Sequence, residues 1–106
     1  SAALISPEMK FDAQLLKGNI YFSTKQLDKA IDMFKQVMES FPDKARDEHV
    51  GVQLAICYEE KNDFAAARET LNKIKPTYPN PEFIETKIQR LEQRQNQLPG
   101  AKGLRK

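Results

Sequence analysis

From Leu27 onward the apolar residues Leu27, Ala30, Ile31, Phe34, Val37, Met38 and Phe41 fall at i, i+3, i+4 and i+7. That is one face of an α-helix, held for about four turns and ending near Ser40. Upstream, Phe11, Leu15, Leu16, Ile20, Tyr21 and Phe22 cover a wider arc than the stripe of a helix resting on one neighbour, so contact from two sides is expected. Ser6-Pro7-Glu8 supplies its start: a side-chain cap, a proline at the first helical position and an acid favourable to the dipole. The polar break "STKQ" is short, which makes the two helices antiparallel neighbours.

The same skeleton then returns. Gly18, Tyr21, Ala30, Phe34 and Pro42 are echoed by Ala55, Tyr58, Ala67, Leu71 and Pro79, each 37 positions later. The second unit is expected to hold helices over about 45–61 and 63–77, split at Lys61-Asn62, with Pro76 loosening the last turn. Asn80-Pro81-Glu82 repeats the cap, proline and acid of the first start and opens a fifth helix along Ile84, Ile88, Leu91 and Leu98. One further step of 37 reaches Glu92 and Gln95, so the third unit is a half unit whose outer face suits a terminal cap. Gly18 in mid-helix costs roughly 1 kcal/mol relative to Ala; close approach to Ala30 across the hairpin is the expected reason. The fold class is all-α, a stack of five helices, because each hairpin leaves an apolar face that only another hairpin can cover.

These positions resemble the tetratricopeptide repeat: a small residue and a tyrosine in the first helix, alanine and a bulky apolar residue in the second, and a closing proline. The resemblance spans repeats over about 8–42 and 45–79 with a capping helix over 81–98, one domain over 1–98, and a flexible basic tail over 99–106. The chain departs from it in its period of 37 rather than 34 and in lacking an aromatic early in each first helix, where Gln14 and Gly51 stand. The extra three residues fall in "DKARDEHV", where they are expected to lengthen a first helix. Units of this length ending in an aromatic-Pro pair, here Phe41-Pro42 and Tyr78-Pro79, are similar to those of bacterial cell-envelope proteins, among them the Tol–Pal accessory protein and outer-membrane assembly lipoproteins. That suggests a periplasmic or envelope location, with the cytoplasm as the alternative.

Composition changes this picture little. Charged residues make 30% of the 106 and hydrophobic ones 40%, a balance that folds. Ser1 in place of Met, and the shortness of "SAALIS", lead us to expect a processed chain or a piece of a longer one. Charge is uneven: from Lys87 onward six Lys or Arg face one Glu. His49 is the only histidine and Cys57 the only cysteine, read as a solvated helix residue and a small buried hydrophobe. No phosphate loop or HExxH pattern occurs, so neither catalysis nor a cofactor is expected.

Binding remains. The resemblance implies a concave groove lined by the first helices, with Asp12, Leu15, Asn19, Phe22 and Ser23 from one unit and His49, Val52, Ile56, Glu59 and Glu60 from the next. Leu15, Phe22, Val52 and Ile56 would form an apolar strip for a partner helix or extended peptide. "SAALIS", another segment of the protein or a second copy in a homo-oligomer could fill it equally well. Glu59 and Glu60 point to a basic or mixed partner. Lys87, Arg90 and Arg94 form a basic stripe, continued by Lys102, Arg105 and Lys106, which could attract nucleic acid or anionic membrane. No aromatic residue follows Phe83, so base stacking is unsupported and a solvated helix end is the preferred reading.

Overall fold

The computed structural model describes residues 5–98 and, among them, six α-helices with no strand: α1 (Pro7–Ser23), α2 (Leu27–Ser40), α3 (Pro42–Asp47), α4 (Val50–Glu60), α5 (Phe64–Ile74) and α6 (Pro81–Gln97). The tail residues Lys102, Arg105 and Lys106, and most of "SAALIS", lie outside the described residues. Helix α1 starts as its sequence dictates, with the Ser6 hydroxyl accepting from the Met9 N–H at 3.1 Å and Pro7 at the first position. Helix α6 opens on Pro81 and Glu82 as expected, but the Asn80 side chain caps nothing. Around Pro76 the last turn tightens into a 3₁₀ turn, Lys75–Thr77, because proline cannot supply the donor an α-turn needs.

Both hairpin turns are built alike. Lys25 and Asn62, 37 positions apart, adopt the left-handed conformation at φ 64° and 63°. Behind them the Gln26 N–H reaches back to the Tyr21 carbonyl (2.8 Å) and the Asp63 N–H to that of Tyr58 (2.9 Å). The Lys25 and Asn62 amides likewise bond Phe22 and Glu59. This is the Schellman closure, which satisfies carbonyls that a helix end leaves without partners.

Helix α2 packs between α1 and α4, and α5 between α4 and α6. One core cluster gathers Phe11, Ala30, Phe34, Val37, Val50, Leu54 and Cys57; a second gathers Ala55, Phe64, Ala67, Leu71, Ile84, Ile88 and Leu91. Tyr58 packs against both and ties the hairpins together.

Two expectations are corrected. The helix foreseen over 45–61 is broken: α3 ends at Asp47, and His49 turns left-handed at φ 59° before α4 begins. Ala45 and Val50 are both buried, yet a continuous helix would point them about 140° apart. The break redirects α4 so that both enter the core, and the segment carrying the three extra residues forms the separate six-residue α3 and the turn after it instead of lengthening a helix. Histidine tolerates this conformation better than most residues. The second correction concerns Gly18, whose constraint is the ring of Phe34 and not Ala30. A Cβ on Gly18 would stand 2.6 Å from Phe34 Cε1. Gly51 is pressed in the same way, since a Cβ there would meet Ile74 Cγ2 at 2.8 Å. No aromatic could occupy that position. Ring contacts near the starts of the two units are made by other residues: Phe11 meets Phe41 edge-on at 5.7 Å, and His49 meets Tyr78 at 5.5 Å.

Candidate functional site: the groove between α4 and α6

Helices α4 and α6 flank a groove of about 360 Å³. Its floor is apolar, with Val52, Ala55 and Ile56 from α4, Leu71 from α5 and Leu91 from α6. One wall is cationic, with Lys87, Arg90 and Arg94 lining it at the three- and four-residue spacing that keeps them on one helix face. Glu59 stands opposite and is held by Arg94, whose guanidinium also lies 5.6 Å from the centre of the Phe64 ring. Lys87 leans over the Phe83 ring at 5.1 Å. Arg90 makes no ion pair or hydrogen bond among the described residues, so its charge is available.

Of the ten residues expected to line a binding groove, Val52, Ile56 and Glu59 do so here. Val52 is buried and serves as floor. Asp12, Leu15, Asn19, Phe22 and Ser23 are on α1 and do not line this groove; Leu15 and Phe22 pack partly buried against the first core cluster. The α1 and α4 residues of the expected strip therefore do not share this groove. Glu60 pairs with Lys25 at 3.6 Å. Of the charged residues lining this groove, Glu59 is paired with Arg94, so the uncompensated charge of the lining is positive.

His49 is not a helix residue of this groove. It lies at the break before α4, where its Nδ1 and the Tyr78 hydroxyl share a hydrogen bond of 2.6 Å. Burial raises the Tyr78 pKa, which keeps the phenol protonated and able to donate. The pair borders a separate cleft of about 380 Å³ with Met38, Gly51 and Ile74. Cys57 is fully enclosed, and burial, aided by the charge of Glu60, pushes its thiol up to about 11. A thiol so placed is no nucleophile at neutral pH. Among the described residues no three His, Cys, Asp or Glu gather as a metal site, and no helix is long and apolar enough to cross a membrane.

Sequence reasoning missed the cationic wall because it treated the basic stripe of α6 as a free end. The signal was present: Ile56 carried 37 positions on is Gln93, which lines the groove beside Arg90 and Arg94. Helix α6 thus stands where a third unit's first helix would.

The family model for the tetratricopeptide repeat matches residues 21–87, well over half of the chain. The chain belongs to the tetratricopeptide repeat family. No curated protein and no solved structure matches it. The matched repeats run from the last turn of α1 through Lys87, so most of α1 and the Arg90–Arg94 part of the basic wall lie beyond them. Tetratricopeptide repeats are protein–protein interaction modules, and this chain is one in that general sense.

Proposed function

We propose that the chain is an adaptor that takes up a short helix or extended peptide of a partner protein in the groove between α4 and α6, and that this segment is acidic with apolar anchors. The observation that carries the reading is Arg90: an uncompensated guanidinium on the rim of an apolar floor. Carboxylates on the ligand would meet Arg90 and Lys87, with Arg94 held in place by Glu59. Apolar side chains would cover Ile56 and Leu91. An approaching anion is also steered by the wall as a whole, so association should weaken with salt.

A labelled peptide alternating Leu and Glu, followed by fluorescence anisotropy against its Leu-Lys counterpart, tests this. The acidic peptide is expected to bind, and Arg90→Glu to weaken it by roughly ten-fold or more with the circular dichroism spectrum unchanged. Equal binding of the Lys peptide, or indifference to Arg90→Glu, would sink the reading. Tighter binding of a DNA duplex than of the acidic peptide, lost with Lys87→Glu/Arg90→Glu, would replace it by a nucleic-acid adaptor.

A further inference from the structure

Three large apolar residues stand exposed on one side of α1: Leu16 at 60%, Met9 at 57% and Ile20 at 50%. Ala13, also exposed, completes the row. The spacing of Met9, Ala13, Leu16 and Ile20 is four, three, four, the alternation of a coiled-coil seam, with Met and Leu at one kind of seam position and Ala and Ile at the other. This row lies opposite Phe11 and Gly18, the residues α1 buries, so a helix could approach it without meeting the rest of the domain.

What covers the row is constrained by its edges. Lys10 and Lys17 flank it on one side, Asp12 and Asn19 on the other. Asp12 and Lys17 make no ion pair among the described residues. Two α1 helices packed side by side in the same direction bring the acidic edge of each against the basic edge of the other, so Asp12 of one copy faces Lys17 of its mate, twice over by symmetry. Antiparallel packing would instead set lysine edge against lysine edge. A preceding hairpin packed as α2 packs on α4 fits poorly. The buried α4 residue Leu54 has Lys17 as its counterpart 37 positions earlier, so such a neighbour would bury an unpaired ammonium.

We propose that the outer face of α1 is a homodimer interface, in which two copies of this chain pair their α1 helices in parallel and in register along Met9, Ala13, Leu16 and Ile20. Leucine at one seam position and isoleucine at the other is the combination that favours two parallel strands. Helix α1 is already formed against α2, so pairing carries no cost of nucleating it. The interface is one short helix pair, small beside the roughly 1,600 Å² of a standard one, and the dimer is accordingly concentration-dependent. This inference stands apart from the peptide groove, which uses α4 and α6.

Sedimentation of the whole chain from micromolar to millimolar concentration should show a mass rising from 12.2 kDa toward twice that value. Leu16→Glu/Ile20→Glu, placed on exposed positions, should weaken association by roughly a hundred-fold with helix content unchanged. Asp12→Lys and Lys17→Asp should each weaken it, and an equimolar mixture of the two should regain it, because the unlike chains restore both ion pairs. Met9→Cys should give an oxidised dimer in high yield, since parallel pairing brings the two position-9 side chains together; buried Cys57 does not compete. A chain monomeric at every concentration would overturn the proposal and leave the face to another partner. So would a dimer indifferent to Leu16→Glu/Ile20→Glu, or one in which Met9→Cys fails to cross-link.

Discussion

The two hairpins share a skeleton but not a packing solution. In the first, Gly18 admits the ring of Phe34; in the second, Ala55 and the smaller Leu71 occupy the same two places. The larger side chain required the smaller partner. The hairpins differ again at Ile20 and Cys57, which are 37 positions apart: Cys57 is fully buried under the first hairpin, whereas Ile20 is half exposed, with no hairpin among the described residues packed over it. Position within a stack, more than residue type, decides whether such a face is core.

The largest way to break the comparison is to give the first hairpin the small residue of the second. Gly18→Ala ordinarily gains about 1 kcal/mol of helix propensity, but here the new methyl collides with a fully buried ring. We expect a net loss of about 2 kcal/mol in urea unfolding. Phe34→Leu alone should cost about 1–2 kcal/mol, and Gly18→Ala/Phe34→Leu less than the sum of the two, because the pair then reproduces Ala55 and Leu71. Additive losses would show that the two hairpins do not solve the same packing problem.

Cys57 tests the second difference. Its thiol is raised from 9.0 to about 11, mainly by desolvation and next by Glu60. The folded chain therefore holds this proton more tightly than the unfolded chain. The stability it contributes is complete below pH 9 and is lost as pH rises from about 9 to about 11, a loss on the order of 2 kcal/mol. Cys57→Ala should remove that alkaline component from the pH profile of urea unfolding. An unchanged slope between pH 9 and 11 would mean that the first hairpin does not seal the second as described. Iodoacetamide should leave the native thiol unmodified at pH 8.

The fold was legible to the extent that it rests on periodicity and spacing. Apolar steps of three and four placed α1, α2, α5 and α6, and the 37-residue echo revealed the stack. What escaped notice is carried by backbone signs and by neighbours distant in sequence. His49 breaks a helix that no proline or glycine marks, because what decides it is the need to bury both Ala45 and Val50. Gly18 answers to a ring 16 residues away and not to the nearer small residue. In the site, Ile56 and Glu59 were found on α4, but the cationic wall depends on α6 folding back beside α4, which a local pattern does not encode. The tyrosines of the repeat acquire a role that spacing alone did not show: the carbonyls of Tyr21 and Tyr58 receive the amide that closes each hairpin.

The smallest effects lie in those two turns, where the backbone is the same and the side chains differ. In the second hairpin the Asp63 carboxylate accepts from the Ala66 N–H at 3.2 Å and caps α5. At the matching place Gln26 caps nothing and donates instead to Thr24 Oγ1 at 2.8 Å, while the threonine hydroxyl bonds the Ile20 carbonyl at 2.9 Å. One turn secures the helix that follows it and the other the helix that precedes it. Asp63→Ala should then cost about 1 kcal/mol and Gln26→Ala only a few tenths. Gln26→Asp, by creating the missing cap on α2, should stabilise the chain by about 0.5–1 kcal/mol. If Gln26→Asp destabilises instead, the Thr24 link outweighs a cap. The first turn would then be the better fastened of the two despite holding a lysine where the second holds an asparagine.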